Sequence, residues 1–375
     1  MKGTIQQRGV RTWRIRYDVP SNSGRKQVSE TVRGAKRDAQ RILRNRLSSI
    51  DRGTYIERTK EKVSHYLNRW LEIHSNNVSI RTYVGYQGCL KRLNLHLGTL
   101  NLQKLNPDHI QTTYKKMVDS GLSARTVLHS HRVLNVALKD AVKWGHLVNN
   151  PASKVDPPKP KKKEMEVWDA EAVSRFMKAA SPSPYYSAFS LAVLTGMRRS
   201  ELAGLKWSDI DLESKRLHIT RTRQRISGLG IVEGPPKTHR SSRSIALSEL
   251  AMKTFIRVRN KQSKTRLLLG ATWPNTDYVF TYETGEPIDP ETLTKEFKRI
   301  VRRNGLSHGT LHGLRHAFAT ALLTQNVHPA VVQSALGHSS IGITIDTYSH
   351  VIPGLEEAAA RTIDQALGIA FAKEA

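Results

Sequence analysis

Along the first fifty residues the apolar positions change their period once. From Thr12 to Val19, Trp13, Ile15, Tyr17 and Val19 alternate with polar neighbours, the rhythm of a half-buried strand. Ser21-Asn-Ser-Gly24 supplies turn chemistry, and Gln27 to Val32 reads as the returning strand. Ala35 to Ile50 then takes up helical spacing, with Arg37, Arg41, Arg44 and Arg46 among its apolar positions. Residues 1–57 are therefore expected to form a small sheet backed by a basic helix, with Arg14 and Arg16 on one face of the strand.

Over residues 58–150 the pattern is helical throughout. Val63, Tyr66, Leu67, Trp70 and Leu71 form one stripe, Ile80 to Leu97 a second helix, and Asn106-Pro107-Asp108 a capped start with proline at the first helical position. A long helix is predicted from Ser123 to Trp144, burying Val127, Val133, Leu134, Ala137, Leu138 and Ala141 and stopping at Gly145. Four helices around one core make a compact module.

Residues 151–164 break the rhythm. Pro151, Pro157, Pro158 and Pro160 forbid a helix and favour an extended linker, along which Lys159, Lys161, Lys162 and Lys163 can follow a phosphate backbone. Residues 165–375 then mix helices with a strand-rich middle. Asp169 caps Ala170 to Ala180, Tyr185 to Leu194 is an apolar helix and Ser200 to Leu205 a short one. Arg216 to Thr220, Gln224 to Ile226 and Arg243 to Leu247 read as strands separated by Gly228, Gly230 and Gly234, with Lys237 on the loop side. Leu355 to Ala372 is an alanine-rich amphipathic segment able to dock on its own domain or on a neighbouring subunit. The fold class expected is α+β multidomain: an N-terminal sheet with a helix, a four-helix domain, and a mainly helical C-terminal domain with a small antiparallel sheet.

Composition narrows the partner. Sixty Lys+Arg against 32 Asp+Glu give a formal charge of +28 over 375 residues, which favours a polyanion such as DNA. No apolar run approaches the roughly 20 residues of a spanning helix, and Met1-Lys-Gly-Thr-Ile5 opens no signal peptide. The chain is thus expected to bind no membrane and to stay in the cytoplasm. Cys89 is the only cysteine and reads as a small buried residue, which rules out an intramolecular disulfide. No H-E-x-x-H motif is present, and carboxylates do not gather near the histidine-rich stretch 308–350, so neither a metal nor another cofactor is expected.

Six residues in order across the second half can handle a phosphate: Arg198, Lys237, His312, Arg315, His338 and Tyr348. Guanidinium forks clamp phosphate oxygens, Lys and His move protons, and a phenol can attack phosphorus. Gly196 permits a tight turn that leaves Arg198 near a helix N-terminus, where it can hold a phosphate or equally form a surface pair with Glu201 at i, i+3. His312 and Arg315 lie three apart on one helix side, beside a buried face of Leu311, Leu314, Phe318, Leu322 and Leu323. His338 follows a helix-ending Gly337, and the small-residue stretch Ser339 to Thr344 reads as a mobile tether for Tyr348.

In order and local context these residues resemble the tyrosine recombinase family, the phage-type integrases in particular. The motifs that carry the resemblance are Thr195-Gly-Met-Arg-Arg-Ser-Glu-Leu202, Lys237-Thr-His-Arg-Ser-Ser-Arg-Ser-Ile-Ala-Leu247, His312-Gly-Leu-Arg-His-Ala-Phe-Ala-Thr320, Leu336-Gly-His338 and Thr347-Tyr-Ser-His350. Gly313 stands where the family often has aspartate, Ala246 where it often has proline, and Arg240 and Arg243 are further cations near Lys237. The resemblance implies that residues 1–57 bind arm-type DNA sites and residues 58–150 core-type sites. It implies that Tyr348 attacks the scissile phosphate to give a 3′-phosphotyrosyl link. Arg198 and Arg315 would neutralise the non-bridging oxygens, Lys237 would protonate the leaving 5′-oxygen, and His312 and His338 would assist proton transfer.

The expected protein is a site-specific integrase of a phage or integrative element, acting as a homotetramer on double-stranded DNA at the nucleoid of a bacterial host, with an excisionase and a host DNA-bending protein as further partners. A dimer resolvase or type IB-like topoisomerase shares the chemistry, and a non-catalytic DNA-binding protein is the alternative from another class.

Overall fold

A computed structural model describes residues 3–21, 24–161, 168–236, 241–306, 309–348 and 363–364. The chain divides into two compact units, Met1–Lys162 and Lys163–Ala375.

The first unit begins with an antiparallel meander of β1 (Gly3–Gly9), β2 (Thr12–Ser21) and β3 (Gly24–Arg33), followed by α1 (Lys36–Asp51). Ile5 pairs with Ile15, and Tyr17 with Val28, so these side chains share the face that α1 covers with Ala39, Leu43 and Ile50. Strand alternation then turns Arg14 and Arg16 to the other face, opposite Thr31 and Ser29. β1 was not anticipated, because in Gly3-Thr-Ile-Gln-Gln-Arg-Gly9 only Ile5 is apolar. As an edge strand it needs one neighbour and one inward side chain. Arg46 does not join a free basic face. It pairs at 3.3 Å with Glu30, which also holds Arg58 at 2.6 Å.

Four helices follow: α2 (Val63–His74), α3 (Ile80–Leu97), α4 (Pro107–Asp119) and α5 (Ala124–Lys143). Ser79, Asn106 and Ser123 cap α3, α4 and α5 by accepting from the N–H groups of Thr82, His109 and Thr126. Their shared core satisfies the polar atoms of its buried aromatics: Trp70 Nε1 donates to Asp140 at 2.8 Å, and the Tyr66 hydroxyl donates to the Ala137 carbonyl at 2.6 Å. Cys89 is buried in the same core. The stretch expected to be linker starts folded. Pro151–Lys154 is a 3-10 turn capped by Asn150, and Ala152 and Val155 complete the helical core.

The second unit is built from α6 (Ala170–Ala180), α7 (Tyr186–Thr195), α8 (Arg199–Gly204), the strands β4 (Ile210–Asp211), β5 (Arg216–Ile219), β6 (Thr222–Ile226), β7 (Gly230–Gly234) and β8 (Arg243–Ala246), and then α9 (Glu249–Leu269), α10 (Pro290–Arg303), α11 (Leu311–Thr324), α12 (Pro329–Leu336) and α13 (Ile341–Tyr348). The strands form an antiparallel sheet of order β4-β5-β8 and a separate β6-β7 hairpin. Gly230 and Gly234, expected as separators, instead bound strand β7, and only the turn at residues 227–229 interrupts the hairpin. Phe176, Phe189, Phe255 and Phe297 pack this unit's core with α7 among them. Apart from Ile363 and Asp364, the segment Leu355 to Ala372 lies outside the described residues. Among the described residues no helix is long and apolar enough to cross a membrane.

Trp70 is fully buried and joins α2 to α5. Trp70→Ala should destabilise the first unit by about 3–5 kcal/mol, the range for emptying a large aromatic site. Urea unfolding followed by circular dichroism measures it, and an unchanged midpoint would contradict this core.

Candidate active site

Helix α7 ends at Gly196, whose φ of +63° lies in the left-handed region. A Cβ there would sit 2.5 Å from Cδ1 of Phe318, so both backbone and space require glycine. The turn delivers Arg198 as the residue that caps α8. Its backbone N–H donates to Glu201 Oε2 at 2.9 Å and its Nη1 to Glu201 Oε1 at 2.6 Å.

This Arg198–Glu201 pair is not the exposed helix pair that its spacing suggests. Glu201 is 1% exposed, because α8 lies against β6 and α10. It has a second cation, Arg243 of β8, whose Nη1 and Nη2 reach its two oxygens at 3.0 and 2.9 Å. Burial by itself would raise the Glu201 pKa. The Arg243 fork and then Arg198 reverse that and hold the carboxyl at about 2.

Helix α11 starts under a Thr310 cap and carries His312, Arg315 and His316. Arg315 is 2% exposed, and its fork donates to the carbonyls of Gly196, at 2.7 Å, and Leu336. Helix α12 stops at Gly337, again left-handed with φ of +64°. Its last carbonyls receive one arginine each: Ala335 from Arg243 Nε at 2.6 Å, Leu336 from Arg315, and Gly337 from Arg198 Nη2 at 3.3 Å. These are the groups a helix end leaves without partners and where its dipole is negative. Next in the chain, His338 shares a hydrogen bond of 2.9 Å between Nδ1 and the Thr344 hydroxyl, and its carbonyl accepts from Gln333.

Arg198, His312, Arg315 and His338 therefore converge on the turn after α7 and the end of α12. The stretch expected as a tether is largely helix: α13 begins at Ile341, Thr344 is buried in it, and Tyr348 is its last residue. The side chain of Tyr348 and the whole of Lys237 lie outside the described residues, as do Lys162 and Lys163. Arg14 and Arg16 belong to the first unit, as do Lys159 and Lys161, which are both exposed. Sequence reasoning missed Glu201 and Arg243 as parts of this cluster. The available signal was an acid three residues after Arg198 and a lone arginine opening an apolar strand, both of which are common on surfaces.

Three imidazoles in the cluster are disposed to stay neutral. Burial, followed by the charge of Arg315 and Arg198, pushes His312 and His338 down from 6.5 to about 4. His312 is nevertheless exposed to solvent. His316 is 9% exposed, meets His312 edge to face at 4.7 Å, and is lowered to about 4 by burial, His312 and Arg315. In the unfolded chain these groups take up protons near 6.5, whereas the folded site refuses them until about 4. Stability of the DNA-free protein should therefore fall as pH drops from 6.5 towards 4. His316→Asn should flatten that fall in a thermal-midpoint series, and parallel curves for variant and parent would contradict it.

Comparison with known proteins identifies the family. The pattern of the phage integrase family matches residues 166–353, and that of the phage integrase N-terminal SAM-like domain matches residues 62–118. The chain is 28% identical to the tyrosine recombinase XerC-like protein of Caldanaerobacter subterraneus subsp. tengcongensis, over 95% of this chain and 96% of that protein. It is 25% identical to the ICEBs1 integrase of Bacillus subtilis over 71% of this chain and 73% of that protein. Among solved structures, the Tn1549 transposon integrase in complex with a circular intermediate DNA aligns with a TM-score of 0.70 at 22% identity, covering 80% of this chain and 99% of that one. A lambda integrase tetramer bound to a Holliday junction aligns with a TM-score of 0.57 at 20% identity, covering 89% and 91%. The chain belongs to the phage integrase family and is a tyrosine recombinase.

Proposed function

We propose that the protein integrates a phage or integrative element by cutting and rejoining DNA through a 3′-phosphotyrosyl link. The phenol oxygen of Tyr348 bonds to the scissile phosphorus, the bond from phosphorus to the 5′-oxygen breaks, and that oxygen leaves with a proton from Lys237. Arg198 and Arg315 hold the non-bridging oxygens. His312 and His338, neutral near pH 7, are free to take the phenol proton and to donate hydrogen bonds to the phosphate. The phosphodiester's energy stays in the covalent link, so rejoining needs no nucleotide. The observation that carries this reading is the pair of guanidiniums anchored on backbone carbonyls beside His338, next to the helix that ends in Tyr348.

The outer face of the N-terminal sheet, with Arg14 and Arg16 on its central strand, would meet arm-type sites, and the helical module core-type sites. Lys159, Lys161, Lys162 and Lys163 would follow the phosphate backbone. Four protomers would join two sites in the bacterial cytoplasm, on nucleoid DNA, with an excisionase and a host DNA-bending protein setting the direction. The charge of +28 supports a DNA partner, and the ICEBs1 integrase among the relatives supports a mobile element.

On a nicked duplex carrying the element's core site, without Mg²⁺, the parent protein should become covalently attached and Tyr348→Phe should not. An adduct in that variant would overturn the nucleophile assignment. Arg315→Ala should slow attachment by about 100-fold or more, the scale of losing one positioned anion-binding donor. Replacing Arg14 and Arg16 by alanine should lower the salt slope of arm-site binding by about 2 while sparing core cleavage. An unchanged slope would remove the sheet from the DNA interface.

A further inference from the structure

We propose that Arg243 is a positioning residue of the phosphate clamp: it neutralises Glu201 and ties it to the end of α12, so that Arg198 keeps its charge for the substrate. The inference rests on reading Arg198 and Arg315 as the clamp.

Arg243 is turned inward and held by four hydrogen bonds. Its side chain is 5% exposed, and its donors go to Ala335 O through Nε, to Glu201 Oε1 and Ser241 O through Nη1, and to Glu201 Oε2 through Nη2. A planar fork of this kind matches a carboxylate in a way that a lysine cannot. Arg198 holds the same carboxylate from the outer side and keeps 31% of its side chain exposed. One arginine is thus placed to face a ligand and the other to face the protein.

Charge gives this division its consequence. Arg198, Arg243 and Arg315 bring three positive charges, Glu201 removes one, and neutral histidines leave the cluster at +2. The phosphodiester carries one negative charge, and the phenol develops a second as its proton passes to an imidazole. Without Arg243, the whole charge of a buried carboxylate would fall on Arg198, and the cluster would keep a single uncompensated cation. Glu201 would then draw the Arg198 guanidinium inward, away from a phosphate. Arg243 also fixes the root of β8, six residues after Lys237, through its bond to Ala335 O and through its own pairing with Ile219 of β5.

A charge-rescue cycle on the full chain separates this role from plain packing. Covalent attachment to the nicked duplex, duplex affinity and thermal midpoint would be measured for the parent, Arg243→Met, Arg243→Lys, Glu201→Gln and the Arg243→Met/Glu201→Gln double variant. Arg243→Met should slow attachment by about 100-fold, and Arg243→Lys, which keeps charge without the fork, by about 10-fold. The double variant restores the +2 balance and should attach at least about 5-fold faster than Arg243→Met alone, a non-additive result for residues in contact. A double variant as slow as or slower than Arg243→Met overturns the inference. If Arg243→Met fails to fold, the comparison of Arg243→Lys with Arg243→Lys/Glu201→Gln decides it by the opposite sign: lysine already balances Glu201, so removing the carboxylate should bring no gain, and a gain overturns the inference. A parent protein that forms no adduct overturns the recombinase chemistry itself, and the inference with it.

Discussion

Three guanidiniums gathered around the last carbonyls of one short helix are the arrangement on which the catalytic unit depends. Like charges resist such a gathering: two unit charges 4 Å apart interact by about 4 kcal/mol at an effective dielectric of about 20. Two features of the chain offset the repulsion. The end of α12 offers carbonyls that its own helix leaves unpaired, and the carbonyls of Ala335, Leu336 and Gly337 take one arginine each. Glu201 supplies a full negative charge between Arg198 and Arg243. Neither suffices alone, because carbonyl dipoles do not cancel charge and a single buried carboxylate does not hold three forks in separate directions.

Preorganisation follows from what those forks grip. Arginine has many rotamers, and a clamp that ordered them only on meeting DNA would spend binding energy on doing so. Arg315 instead spans the carbonyls of Gly196 and Leu336, which belong to segments far apart in sequence. Gly196 and Gly337 both take left-handed backbone conformations, and each turns the chain immediately before a site residue or at the carbonyl that holds one. The core around Phe318 and Leu336 packs against Gly196 closely enough to leave no room for a Cβ. The site is therefore stiff because it is tied to main chain, with few parts that depend on side chain alone.

How much of this was legible in the sequence follows from what each signal measures. Period and the capped start at Asn106 located α2 to α5 closely, since a cap acts locally and the apolar stripes face one core. β1 escaped because an edge strand with one inward residue has almost no period, and β7 because its bounding glycines resemble a loop. Arg198, His312, Arg315 and His338 were legible as chemistry and through their local motifs. Glu201 and Arg243 were not, because their importance is burial, and burial of a charged residue depends on contacts between β8, α8 and α12 that no local pattern encodes. The same limit misread Ser339 to Thr344: small residues suggested a tether, whereas Thr344 is buried within α13 and bonded to His338.

Permanent and removable charge are kept apart in this cluster. Arginine does not lose its proton in a protein, so the pull that the proposed clamp would exert on a phosphate does not vary with pH. Histidine can change state, and those of the cluster are held neutral by burial and by the same arginines. A phosphate entering between Arg198 and Arg315 would offset the positive field that depresses them. The imidazoles would thus become better proton acceptors when substrate is in place than in the empty site. Under the proposed roles, binding and proton transfer would be coupled through one electrostatic field, whose strength Glu201 with Arg243 would set by leaving two of the three guanidinium charges uncompensated.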